Sequence, residues 1–100
     1  MGTKKTRVSD LPMFDMAEHL DSPEAIAEYL NQVMDEGDPA ELVHALGVAA
    51  KAQGMTDVAQ KSGLSREALY RALRADASPR FDTIARVCAA LGVQLRASVA

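Results

Sequence analysis

One hundred residues, 48% of them hydrophobic, are enough for one small core and exclude a chain that is disordered throughout. Two Phe, two Tyr and no Trp leave that core to Leu, Val, Ile, Ala and Met, which suits packed helices better than a sheet. The formal net charge of -3 hides a split: residues 1–37 hold three basic against eight acidic side chains, a net of -5, and residues 38–100 hold eight against six, a net of +2.

No stretch approaches the roughly 18 to 20 apolar residues that span a bilayer. The opening MGTKKTRVSDLPMF carries basic residues without the apolar run of a signal peptide. A cytoplasmic protein is expected. A lone cysteine, Cys88, allows no disulfide within the chain and fits a reducing compartment.

In chain order, residues 1–12 mix charge, Ser and Pro without a period, and residues 1–21 read as a flexible arm. A single helical domain is expected over 22–92. Ser22 is placed to cap its first helix, with Pro23 at the first helical position and Glu24 at the positive end of the dipole. Ile26, Tyr29, Leu30, Val33 and Met34 follow at helical spacing, and Gly37 ends the run. This helix has an acidic outer face. Asp38-Pro39-Ala40-Glu41 opens a second helix as a near capping box, with Asp38 accepting from the third helical N–H and Glu41 reaching back. Its buried stripe is Leu42, Val43, Leu46, Ala49 and Ala50, and Gly54 closes it.

Thr56 is read as the cap of a short third helix ending at Gly63, and Ser65 as the cap of a fourth running to about Arg74. A fifth extends from about Phe81 to Leu91, before Gly92. The tail VQLRASVA, residues 93–100, alternates apolar and polar side chains like a strand, yet a lone strand has no pairing partner in a helical bundle. It is expected to pair with another chain or to fray.

The unit MTDVAQKSGLSREALYRAL, within residues 55–74, has the requirements of a helix-turn-helix. Ala59 is small where the two helices cross, and Gly63 supplies a positive φ at the turn. Leu64 plugs the core, and Val58, Leu69, Ala72 and Leu73 fall inward. At about 100° per residue, Arg66, Glu67, Tyr70 and Arg74 share one outward arc of the fourth helix, with Arg71 just beyond. Arginine can bond two acceptors on the edge of guanine or clamp a phosphate. Ser65 and the helix N-terminus can hold a phosphate oxygen, and Tyr70 can pack on a thymine methyl or a sugar. Thr56 and Gln60 on the preceding helix and Arg80 at the start of the next would sit over the phosphate backbone. The bland alternative is a solvated face in which Glu67 pairs with Arg71 four residues on.

The segment Gln53 to Val93, with GMTDVAQKSGLSREALYRAL and SPRFDTIARVCAALGV, resembles the Xre/Cro-type helix-turn-helix fold, a five-helix, lambda-repressor-like, all-α bundle. The wider chain, about residues 14 to 98, resembles the addiction-module antidote family, antitoxins of type II toxin–antitoxin operons related to HigA, through its FD…L-D-S-x-E-A-I-A-x-Y-L opening. That resemblance implies a protein that neutralises a RelE/HigB-like mRNA-cleaving toxin and represses its own operon as a homodimer on operator DNA. A net of -5 suits a basic, RNA-engaging partner. Contact of Phe14, Asp15, Ile26, Tyr29 or Leu30 with the toxin is the weaker part of the implication, because Ile26, Tyr29, Leu30, Val33 and Met34 fit an internal core.

Catalysis is not expected. His19 and His44 lack neighbours at metal-ligand spacing, no Gly-rich phosphate loop is present, and Cys88 falls on the apolar stripe of Ile84, Val87 and Leu91. No cofactor, metal or small-molecule substrate is expected. Two other readings stay open at this level: a stand-alone phage-type repressor, and a helix-turn-helix module that binds an acidic protein.

Overall fold

In the computed structural model, residues 18–100 are described, and the expectations for the earlier arm, with Phe14 and Asp15, lie outside them. Among the described residues, Glu18 and His19 are helical, and five helices follow them: α1 Pro23–Asp35, α2 Pro39–Gln53, α3 Met55–Ser62, α4 Arg66–Ala72 and α5 Phe81–Ala90. No strand occurs among the described residues. The all-α expectation holds.

Local chemistry explains most helix ends. The Ser22 side chain accepts from the Ala25 N–H at 3.1 Å, with Pro23 at the first helical position. Asp38 begins α2, but its carboxylate accepts from the Ala40 N–H, one residue earlier than expected, at 3.0 Å, while the Glu41 N–H donates to the Asp38 backbone carbonyl. Thr56 does not cap α3. That helix starts one residue before it, at Met55, with Gly54 in the cap position and no side-chain cap. Burial of Met55 draws this residue into the first turn, and the Val58 N–H already bonds the Gly54 carbonyl at 3.0 Å.

Helices α2 and α3 form the centre of the bundle. α1 packs on α2, α3 packs against α2, α4 and α5, and α2 also touches α5. Accordingly Ala45 and Val48 are buried beside the expected Val43, Leu46, Ala49 and Ala50, and Leu42 is only partly covered. A helix enclosed on most sides needs apolar residues on more than one stripe. From α1, Ile26, Tyr29, Leu30 and Val33 complete the core, with Met34 against its edge. Burial, and secondarily the charges of Glu41 and Glu36, raise the Tyr29 hydroxyl above its usual pKa.

One expectation changes ahead of α1. Leu20, assigned to the arm, is 2% exposed and belongs to the core. The tail has no regular structure in the single chain, and its first residue, Val93, is held by the end of α5. There the Val93 N–H donates to the Cys88 carbonyl at 2.9 Å and the Gly92 N–H to Ala89 at 3.0 Å, the paired bonds of a Schellman cap. Val93 is buried by that geometry and Leu95 packs against the core, while Ala97 and Val99 stay exposed. No helix among the described residues is long and apolar enough to cross a membrane.

Candidate nucleic-acid interface

The two helices of the motif meet at a turn that the sequence specifies closely. Gly63 takes φ 78° and ψ 12°, the left-handed conformation that costs an L side chain about 1–2 kcal/mol. Its N–H donates to the Gln60 carbonyl and the Leu64 N–H to the Ala59 carbonyl, at 3.4 and 3.1 Å. Leu64 thereby swings onto the core. The buried Ser62 hydroxyl ties the same turn: it donates to the Ala59 carbonyl at 3.1 Å and accepts from the Leu64 N–H at 3.4 Å. This part of Ser62 is not legible in the sequence, since an Oγ bonding back three residues is visible only once the turn has closed.

Ser65 then opens α4. Its Oγ accepts from the Ala68 N–H at 3.0 Å, so the lone pair serves the cap and the hydroxyl proton is left for an outside acceptor. Leu69 is fully buried and Leu73 nearly so, which fixes the rotation of α4 about its axis. With that rotation set, Arg66, Glu67, Tyr70 and Arg71 all reach the surface. Tyr70 is 42% exposed, unusual for a large hydrophobic side chain here. Arg66 lies over it: the guanidinium carbon stands 5.6 Å from the ring centroid, and a guanidinium N–H donates to the Tyr70 hydroxyl at 3.3 Å. The ring supports the cation and leaves its remaining donors directed outward.

Among the described residues no ion pair joins Glu67 to Arg71, so the arc is not neutralised within α4. Arg74 departs from the expectation. The helix ends at Ala72, because Leu73 is drawn inward as its cap and the chain turns, with the Ala77 N–H bonding the Arg74 carbonyl at 3.0 Å. Arg74 therefore sits in the turn after the helix, its Nε 3.5 Å from an Asp76 carboxylate oxygen. It is exposed and lines the same cleft as Tyr70.

The flanking positions are also exposed. Thr56 occupies the first turn of α3 and Gln60 its last, on the solvent side of a helix whose other face buries Met55, Val58, Ala59 and Ser62. Arg80 precedes α5, 3.4 Å from Asp82, and the adjacent Phe81 is 70% exposed. The sequence marks Phe81 only as the start of α5. Its helical spacing of three from Ile84 and seven from Cys88 would set it on the buried stripe, so the local pattern carries no sign that it faces outward.

The acid lies on other surfaces. From residue 18 to residue 50 the chain has no Lys or Arg, and Glu24, Glu28 and Asp35 are exposed along α1. Ile26, Tyr29 and Leu30 are buried, so the face of α1 open to a partner is polar and acidic. The Cys88 thiol is buried in the core, which raises its pKa and suppresses the reactive thiolate. No three His, Cys, Asp or Glu side chains among the described residues come together to hold a metal ion.

Comparison with known proteins adds a family to this geometry. A family model described as "Probable addiction module antidote protein" matches residues 10–99. An uncharacterized protein of Haemophilus influenzae is 42% identical over 83 residues, covering 83% of this chain and 86% of that protein. No solved structure matches the chain.

Proposed function

Because the chain belongs to the family of probable addiction module antidote proteins, we propose that it is a DNA-binding antitoxin that neutralises a RelE/HigB-like mRNA-cleaving toxin and represses its own operon. The observation that carries the DNA half is the exposed Arg66–Tyr70 stack on a helix presented by a helix-turn-helix. In this reading α4 enters the major groove. Arg66 contacts base edges with Tyr70 against a methyl or sugar, Glu67 can accept from a cytosine amino group, and Arg71 clamps the rim. Ser65, Thr56, Gln60, Arg74 and Arg80 hold backbone phosphates and set the register.

Charge separation supports the two-partner reading. A basic RNA-engaging toxin would be steered to the acidic α1 side, while the arginine face is left for the operator. A homodimer through the exposed end of the tail, residues 96–100, would set two copies of α4 on successive major grooves, about 34 Å apart. Both partners are met in the cytoplasm.

The test is a gel-shift with the DNA upstream of the chain's own gene, comparing the wild type with Arg66→Ala/Arg74→Ala. Loss of operator binding with an unchanged circular dichroism spectrum and continued neutralisation of the co-expressed neighbouring toxin is the expected result. Full DNA affinity in the double variant would overturn the assignment of α4.

A further inference from the structure

A cationic surface adjoins the helix-turn-helix on its α2 side. Between α2 and the end of α4 opens a cleft of about 250 Å³, walled by His44 and Lys51 on one side and by Tyr70 and Arg74 on the other. His44 and Lys51 are seven residues apart on α2 and so lie on the same face, about two turns from each other. Gly47, midway between them, carries no side chain into the space, and a Cβ built there would stand 3.5 Å from the Leu73 carbonyl oxygen. That is ordinary van der Waals distance, so Gly47 is not needed for the helices to approach and simply leaves the wall of the cleft bare at this point.

Its walls combine two chemistries. Val48, Met55 and Leu73 supply apolar surface at the base, Lys51 and Arg74 supply positive charge at the rim, and no carboxylate lines it. Lys61, Arg74 and Arg80 each have a carboxylate within ion-pair distance, whereas Lys51 has none among the described residues. Apolar surface below a cationic rim fits the deoxyribose face and phosphate of a nucleic-acid backbone. Tyr70 belongs to both the cleft and the arc of α4, so a strand whose bases meet Arg66 and Tyr70 would run its backbone past this opening.

We infer that the α2–α4 cleft seats a sugar-phosphate unit of the bound DNA strand, with Lys51 as a phosphate contact that the helix-turn-helix motif does not include. This rests on the DNA-binding reading of α4 and adds to it a sequence-independent grip. The ligand chemistry is the phosphodiester backbone of duplex DNA.

The experiment is a salt titration of DNA binding by the full chain, using the upstream duplex and a scrambled duplex of equal length. The proteins are wild type, Lys51→Gln, Lys51→Arg and Arg66→Ala. Removing one phosphate contact lowers the slope of log K against log salt by about 0.9, which is about eight-fold in affinity near 0.1 M salt and about four-fold near 0.2 M. Lys51→Gln is expected to lose that factor equally on both duplexes, and Lys51→Arg to retain affinity. Arg66→Ala is expected to lose the preference for the upstream duplex. An unchanged slope in Lys51→Gln alongside the Arg66→Ala loss overturns the cleft assignment alone. Wild-type protein that binds neither duplex with a salt-dependent affinity overturns the reading of α4 on which it rests. Lys51 is exposed near the end of α2, so a folded variant is expected, and circular dichroism checks it.

Discussion

Gly63→Ala isolates the turn that aims α4. A Cβ at Gly63 meets nothing within 4 Å, so the substitution brings no steric clash and its cost is that of placing an L side chain at φ 78°. That cost is about 1–2 kcal/mol, offset by about 0.4–1 kcal/mol because alanine restricts the unfolded chain more than glycine does. The net loss is then about 1 kcal/mol, which corresponds to a fall of about 4–8 °C in Tm for a domain of this size. Gly92→Ala provides the internal comparison. Its φ is 82°, but its Cβ would stand 3.3 Å from both Cβ and Cγ of Pro23, so the end of α5 and the start of α1 would have to separate. Gly92→Ala should therefore cost more than Gly63→Ala, about 2–3 kcal/mol once packing strain is added. Urea unfolding followed by circular dichroism measures both, with an unchanged m value marking a true stability change. A Gly63→Ala protein as stable as wild type, or less stable than Gly92→Ala, would refute the reasoning.

Three other outcomes follow from particular contacts. Gly47→Ala places its Cβ in ordinary van der Waals contact with Leu73 and removes a glycine from a helix interior, so urea unfolding should show a gain of about 0.5–1 kcal/mol. Ser65→Ala removes the cap on the Ala68 N–H and should cost about 1 kcal/mol, with DNA binding reduced further than the unfolding data alone explain if the hydroxyl proton also meets a phosphate. The folded-state pKa values of Cys88 and Tyr29 lie above their unfolded values of 9.0 and 10.0, both chiefly through burial. The unfolded chain therefore releases these protons first, and stability present below pH 9 is lost as pH rises through the folded values. Urea midpoints measured from pH 7 to 11 should fall, with a shallower fall in Tyr29→Phe; a flat profile would contradict the burial of these groups.

How far the site could be read in advance differs from residue to residue. Gly63, Ser65, Ala59 and Leu69 were legible because each answers a local demand: a positive φ, a cap, a close crossing, a buried stripe. The outward arc over Arg66, Glu67, Tyr70 and Arg71 follows from helical period once Leu69 is inside. Arg74 leaves the arc because the helical period ends at Ala72, where burial of Leu73 turns the chain. Thr56 looked like a cap by residue type, yet burial of Met55 one position earlier moved the helix start. The stack of Arg66 on Tyr70 is compatible with their spacing of four residues but depends on rotamers that spacing leaves open.

The sequence by itself determined the helical class, the separation of acid from base, the order of five helices and the glycine turn at the motif, since these depend on neighbours within a few residues. Tertiary structure alone decided that α2 is enclosed on most sides, that Leu20 joins the core, and that Val93 closes α5. It also brought Lys51 of α2 and Tyr70 of α4 to the walls of one cleft. Those outcomes depend on which helix packs on which, and residues nineteen positions apart acquire a common surface only when the fold has closed.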